Sequence, residues 1–324
     1  MSPAFSTPRA VHRALVRSAR EVAPAHHQFR LEAPLLAQTA QPGQFVHVLT
    51  VPTASDWTFD PLLRRAFSIM SVDMVDKQWI DVLFRVEGRG TRALAQVRVG
   101  DEIDLIGPLG QPFDLSPFEN TIMDGEKFHV KQSLPSAVVV GGGVGVPPLI
   151  YLSQTLNARA VTVHSIVGAR SAREIIGRHE LTQVCKQVQI TTDDGSQGHH
   201  GRVTEVLIPM LSAMTTENAI KPIVYACGPL PMLRAVAQVC ATAQVRCQVS
   251  LEENMPCGIG VCNGCVVRTR QPFADNDKHE SSDTDSNGIN RTIGNEWSPY
   301  RAYRRVCVEG PACWADEIDW EHQG

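Results

Sequence analysis

The chain has 324 residues, enough for about two domains on a prior of roughly 150 residues each, and for more than one buried core. Hydrophobic residues make up 43% and charged residues 20%, which excludes wholesale disorder. A formal net charge of -4 leaves no basic footprint for nucleic acid, and no apolar run of roughly eighteen residues is present to span a membrane.

The first twenty residues carry Arg9, Arg13, Arg17 and Arg20 but no apolar stretch, so no secretory signal is expected. Up to residue 112, short alternating runs recur: Ala14–Val16, Phe29–Leu31, Phe45–Val48, Trp79–Val86 and Glu102–Ile106. Gly43, Gly88, Gly90, Gly100 and Gly107 punctuate them, a pattern that predicts an antiparallel barrel or sandwich. Three pieces of this segment could hold a flavin pyrophosphate: Arg64-Arg65-Ala66-Phe67-Ser68, Leu83-Phe84-Arg85 and Gly88-Arg89-Gly90-Thr91. On residue type alone they decide nothing, because exposed arginines are usually solvated and G-x-G-T is a common turn.

From Phe113 to Pro135 the periodicity fades, and a loop is expected. Beyond it the period changes. The apolar strand Ala137–Val140 runs into Gly141-Gly142-Gly143-Val144-Gly145 and a helix over Pro147–Leu156. Strands at Val161–Val167, Val188–Thr192 and Ile223–Ala226 then alternate with helices at Ala172–Val184, Val203–Met214 and Pro231–Thr242, the pattern of a parallel α/β domain. A Gly-rich turn between a buried strand and a helix lets backbone N–H groups approach a pyrophosphate. Its spacing is not G-x-G-x-x-G, so tight packing competes with that reading. Cys227-Gly228-Pro229 ends the last of these strands, on the edge where ligands of open α/β sheets bind. For a lone thiol, the small-hydrophobe role is the commoner one.

The last segment, 248–324, is rich in cysteine. Of nine cysteines in the chain, an odd number, five follow residue 250, which argues against a disulfide framework and for metal or cluster ligation in a reducing, cytoplasmic setting. Cys257, Cys262 and Cys265 form a C-x4-C-x2-C run, the spacing of plant-type [2Fe–2S] proteins, which add one distant thiolate. Structural zinc sites use paired C-x2–4-C knuckles, so the cluster is favoured over zinc. Cys307 and Cys313 compete as the fourth ligand. Between them and Cys265, residues 274–296 are dominated by Asp, Asn, Ser and Gly and are expected to be a mobile insertion.

With barrel, Gly-rich turn, Cys-Gly-Pro and C-x4-C-x2-C in this order, the chain resembles the electron transfer subunits of NAD-type dihydroorotate dehydrogenases. Its first two segments are similar to the ferredoxin–NADP reductase superfamily. The resemblance implies a multi-domain α+β architecture: an FAD-binding β-barrel (1–112), an NAD-binding α/β domain (113–247) and a small [2Fe–2S] domain (248–324). It carries FAD contacts onto Arg65, Ala66, Phe67 and Ser68, onto Leu83, Phe84 and Arg85, and onto Gly90 and Thr91. Nucleotide contacts fall on Gly141, Gly142, Gly143 and Gly145, and on Cys227, Gly228 and Pro229, with Cys227 beside the stacked rings. A Val-Cys-x-x-Gly-Pro context selects Cys307, in Val306-Cys307-Val308-Glu309-Gly310-Pro311, as the last ligand beside Cys257, Cys262 and Cys265.

The resemblance further implies a partner, an FMN-containing catalytic subunit that oxidises dihydroorotate, assembled with this chain as a heterotetramer. NAD, rather than NADP, is expected on the same ground, although Arg170 could accept a 2′-phosphate. Two alternatives stand beside this: a diaphorase subunit of an electron-bifurcating or hydrogenase-type complex, and a zinc-binding interaction module.

Overall fold

The computed structural model describes residues 10–51, 61–121, 136–216, 219–270 and 302–323. Six strands, β1 (Ala10–Ala23), β2 (His26–Glu32), β3 (Phe45–Val48), β4 (Arg65–Val72), β5 (Trp79–Arg85) and β6 (Glu102–Leu109), close into an antiparallel barrel in the order β1-β2-β5-β4-β3-β6. Closure removes the sheet edges, and the period-two pattern fills the interior: Val16, Leu31, Val46, Val48, Ile69, Val82 and Leu105 share one core. A short helix, α1 (Pro34–Thr39), starts with proline, whose missing N–H is harmless there, and buries Leu36 and Ala37. Gly88-Arg89-Gly90-Thr91, expected as a turn, opens a second short helix, α2 (Arg89–Leu94). The Thr91 hydroxyl explains this, since it accepts from the backbone N–H groups of Glu87 (3.0 Å) and Gly88 (3.1 Å), a capping arrangement.

The second layer is a seven-stranded sheet. Its elements in chain order are β7 (Ser136–Gly142), α3 (Val146–Ala158), β8 (Thr162–Ala169), α4 (Arg178–Val184), β9 (Gln187–Thr192), β10 (His199–His200), α5 (Val203–Met214), β11 (Ile223–Cys227), α6 (Leu230–Thr242) and β12 (Cys247–Ser250). The strands run β10-β9-β8-β7-β11-β12, all parallel. Ala137 and Val139 of β7 face one core and Val138 and Val140 the other, which is why that strand is apolar throughout. The strand order turns back between β7 and β11, so a crevice opens beyond their carboxyl ends, at Gly141-Gly142 and Cys227. Tyr151 of α3 reaches into the barrel core and donates to the Ala40 carbonyl at 2.8 Å, locking the barrel to the sheet.

One expectation is corrected. The helix drawn over Ala172–Val184 is a 3-10 turn at Ala172–Glu174 and then α4, separated at Gly177, whose φ of +71° is left-handed. A Cβ there would also lie 2.7 Å from Val146, so the chain breaks where only glycine fits. The sheet itself continues past residue 248. β12 spans it, and the late strand β15 (Ala312–Trp314) joins β12 antiparallel as the seventh strand.

Between β12 and β15 lie the cysteine loop, a two-stranded ribbon of β13 (Val266–Arg268) and β14 (Tyr303–Arg305), and one helical turn, α7 (Val306–Glu309). Cys265, Val267, Val306, Cys307, Ile318 and Trp320 bury into the same core as Val138, Val224 and Val249 of the sheet. The insertion expected at 274–296 lies outside the described residues, as does most of the loop expected before β7, of which Ser116–Thr121 forms a 3-10 turn. Among the described residues no helix is long and apolar enough to cross a membrane.

Candidate functional site

Two cavities adjoin at the junction of barrel and sheet. The first, about 720 Å³, lies between β4, β5, the start of α2 and the segment Ser250–Pro256. The sequence expected Arg65, Ala66, Phe67, Ser68, Leu83, Phe84, Arg85 and Thr91 on one surface, and all eight line this cavity. The two adjacent arginines have different jobs. Arg64 is committed to the barrel, donating to the Asp104 carboxylate at 2.6 Å and to its carbonyl at 3.0 Å. Arg65 donates through Nη1 to the Leu63 and Arg64 carbonyls, while its Nε and Nη2 lie where a Cβ on Gly90 would stand, at 2.8 Å. Gly90 therefore acts by having no side chain, letting the guanidinium lie on the first turn of α2. Phe84 packs edge-on against Phe29 and tilted against Phe67, and is 1% exposed, so its ring belongs to the barrel core.

The second cavity, about 550 Å³, opens at the carboxyl ends of β7, β8 and β9. Gly142, Gly143 and Pro229 line it. Gly143 has φ +53° with open space around its missing Cβ, as expected where backbone faces a ligand. The neighbouring glycines are packing positions. Gly141 lies under Val146 and Leu149, Gly142 under Met232, and Gly145 directly against the Cys227 carbonyl, where a Cβ would be at 2.3 Å. Gly228, at φ +154°, is covered by Met232. Arg170, Arg202, Glu174 and Asp193 charge the far end of the cavity.

The two cavities share Arg85, Glu87, Val144 and Glu252 as a common wall. Glu252 stands in front of Cys227, whose thiol is 1% exposed and lies 3.9 Å from Glu252 Oε1. Cys227 itself is on neither wall. Burial first, then the nearby Glu252 carboxylate, pushes this thiol well above its usual range. The Glu252 carboxyl is open to the water of both cavities yet set deep in the cleft, and loss of solvent there pushes it up to about 7. The sequence offered one signal for this residue: an acid pair, Glu252-Glu253, beginning two residues after the buried strand β12.

The cysteine loop begins at the edge of the first cavity, one residue after Pro256. Gly258 (φ +68°), Gly260 (φ +86°) and Asn263 (φ +53°) curl it through left-handed positions. Backbone N–H groups point at sulfur: Gly264 to Cys262 Sγ and Cys307 to Cys265 Sγ, both at 3.4 Å. Arg305 pairs with Glu309 and donates to the Gly260 carbonyl at 3.2 Å, holding the loop on α7. Among the described residues no three His, Cys, Asp or Glu side chains are grouped to hold one metal ion. The four candidate ligands stand as two pairs, Cys257 with Cys262 and Cys265 with Cys307.

Burial opposes ionisation of Cys257, but the N–H groups of Cys262, Ile259 and Val261 outweigh it and bring the thiol down to about 6. Cys265 is likewise lowered to about 6, first by its hydrogen bond with Cys307, and that same bond pushes Cys307 up, so the pair shares one proton. The lowered thiols ionise readily, as ligands to iron must. Cys313 is elsewhere. It sits on β15 opposite Val249, grouped with Cys240 and Cys247 in the sheet core, and burial pushes it up to about 12.

The family model for the oxidoreductase NAD-binding domain matches residues 139–238. The chain is 35% identical over 306 residues to the "Dihydroorotate dehydrogenase B (NAD(+)), electron transfer subunit" of Geobacillus kaustophilus (strain HTA426), covering 94% of this chain and 97% of the relative. Identity to the protein of the same name from Enterococcus faecalis (strain ATCC 700802 / V583) is 34%, over 92% of this chain and 94% of the relative. Among solved structures, an NADH-dependent reduced ferredoxin-NADP oxidoreductase studied for flavin-based electron bifurcation superposes with a TM-score of 0.69 at 22% identity, covering 95% of this chain and 90% of that one. At that identity the likeness concerns the fold.

Proposed function

Because the chain belongs to the family of dihydroorotate dehydrogenase B (NAD(+)) electron transfer subunits, we propose that it passes electrons from dihydroorotate oxidation, performed by an FMN-containing partner subunit, to NAD. One observation carries this reading: the nucleotide cavity, the Arg65-lined cavity and the cysteine loop adjoin in that order, the first two through a shared wall at Glu252. NAD moves electrons in pairs and an iron–sulfur centre moves them singly, and FAD, when bound, exchanges them in both ways.

The residues fit these groups. Arg65 on Gly90, the Ser68 hydroxyl and the start of α2 form a cradle for the FAD pyrophosphate in the first cavity. The open backbone at Gly143 and the N-terminus of α3 suit the pyrophosphate of NAD in the second. Two cysteine pairs, each with one thiol that ionises readily, suit a [2Fe–2S] cluster, in which each iron takes two sulfurs from the protein, with Cys257, Cys262, Cys265 and Cys307 as ligands. Cys227 acts through Glu252, which it backs, and Glu252 can hold or release a proton near neutral pH where the two cavities meet. The three segments 1–112, 113–247 and 248–324 serve as flavin, nucleotide and cluster modules. The complex is a heterotetramer working in the cytoplasm, where the nine unpaired cysteines stay reduced.

The test is reconstitution. Co-produced with the FMN dehydrogenase subunit and purified without oxygen, the complex is expected to be yellow-brown and to reduce NAD+ on adding dihydroorotate. A complex that works only with a hydrogenase or ferredoxin-linked partner overturns the reading in favour of the diaphorase alternative.

Two substitutions probe the cavities. Arg65→Ala is expected to weaken FAD retention by one charge-assisted bond, ~1.5–3 kcal/mol, or roughly ten- to a hundredfold in flavin release on dilution. Arg64→Ala should instead lower barrel stability, because its partner is Asp104. For Glu252, the folded pKa of about 7 lies above the usual carboxyl value of 4.5. The folded chain therefore keeps a proton that the unfolded chain releases first, so stability falls as pH rises from about 4.5 to 7. Glu252→Gln should flatten that part of the melting-temperature profile. An unchanged slope would remove Glu252 as its source.

A further inference from the structure

Strand β3 alternates strictly. Val46 and Val48 point into the barrel, whereas Phe45 packs outside it in the core that holds Cys265, Val306 and Cys307. His47 shares the outer face with Phe45, and its cross-strand neighbours Ala66 and Ile106 pack against that same core. The result is a polar ring, 1% exposed, in an apolar seam between the barrel and the cysteine loop. Among the described residues neither ring nitrogen completes a hydrogen bond of good geometry, although the Met255 and Arg64 backbones both lie close enough to favour the ring's N–H. A polar ring in such a seam needs an acceptor for its N–H, which a leucine at the same place would not.

Two features say what the ring faces. Nδ1 occupies the space a Cβ on Gly258 would need, at 2.8 Å, so the residue after Cys257 is bare where it meets His47. Met255, on the other side, lines the first cavity, as does Ala66. The seam thus lies between the proposed flavin site and the first proposed cluster ligand. Burial, together with the Arg64 and Arg65 cations, holds the imidazole neutral by lowering its pKa to about 4. A neutral imidazole has one donor and one acceptor.

We propose that His47 is a positioning residue of the iron–sulfur loop: its single N–H, donated to the Met255 carbonyl, seats the segment Met255–Gly258, and Cys257 with it, against the wall of the flavin cavity. This rests on the reading that Cys257, Cys262, Cys265 and Cys307 hold a cluster. The side chain then controls how the cluster sits relative to the flavin, without touching either electron carrier.

The test uses the full chain, purified anaerobically, with His47→Leu to remove the donor and His47→Gln to keep one. In His47→Leu, electron transfer between flavin and cluster is expected to slow about tenfold, the worth of one hydrogen bond, and the cluster's midpoint potential and EPR line shape to shift. In the metal-free chain, amide hydrogen exchange over 255–258 should quicken by a similar factor. His47→Gln should restore most of both. Loss of the cluster from the leucine variant but not the glutamine variant also supports the donor. Unchanged potential, line shape and exchange in His47→Leu overturns the proposal. So do equal changes or equal cluster loss in both variants, which would assign the residue to shape alone. An unsubstituted chain that binds flavin but no iron or sulfide overturns the cluster reading itself, a separate failure.

Discussion

Cys307→Ser is expected to leave a chain that still binds flavin but carries iron and sulfide only at background, whereas Cys313→Ser keeps its full cluster. The two cysteines lie six residues apart, yet the fold sends them to different places. α7 turns Cys307 onto Cys265, with its own N–H at the Cys265 sulfur. β15 then carries Cys313 into the sheet beside Cys240 and Cys247. On the proposed ligation, serine at 307 takes one cysteine from its pair and would leave an iron short of a ligand. Serine at 313 buries a hydroxyl in a thiol's place, for about 1–3 kcal/mol of stability and no change in the visible or EPR spectrum. Iron and sulfide analysis of the two variants decides it, and the reverse pattern would move the fourth ligand to Cys313.

Gly145→Ala should be the most damaging single methyl in the Gly141–Gly145 turn. The added carbon would lie 2.3 Å from the Cys227 carbonyl carbon and oxygen and 2.4 Å from the Gly228 nitrogen. All three are backbone atoms at the end of a central strand, so no rotamer change relieves the overlap. Either β11 or the turn before α3 must move, at a cost of roughly 3 kcal/mol or more. Both hold the crevice, so NADH oxidation with an artificial electron acceptor should fall more than tenfold while flavin content stays nearly unchanged. Gly143→Ala is the control. Its site is open, and only left-handed strain of about 1 kcal/mol opposes the change. Equal losses from both variants would show that the close contact at Gly145 is not what matters.

What was legible in the sequence is what short stretches encode. The switch from alternating runs to Val138-Val139-Val140 and a glycine turn marks the start of the parallel sheet. C-x4-C-x2-C marks its candidate ligands because their spacing is local. Residues that depend on distant partners were silent. Arg64 and Arg65 look alike until Asp104, from another strand, claims the first. Which glycine faces a ligand and which merely admits a neighbour depends on Met232 and Cys227, more than eighty residues on. Glu252 became conspicuous only when two cavities were seen to meet on it. His47 read as one polar residue within a strand, because nothing nearby in the chain shows what covers its outer face. Gly177 is a different case: the glycine was in plain view, but the apolar residues around it carried the helix across.

The ribbon of β13 and β14 has a mechanical corollary. Val266 pairs with Arg305 and Arg268 with Tyr303, so the long stretch between these strands leaves and re-enters at adjacent points, like a loop of thread tied off at its base. The cysteine loop and the base of that stretch are held on either side by β12 and β15, which pair with each other in the sheet.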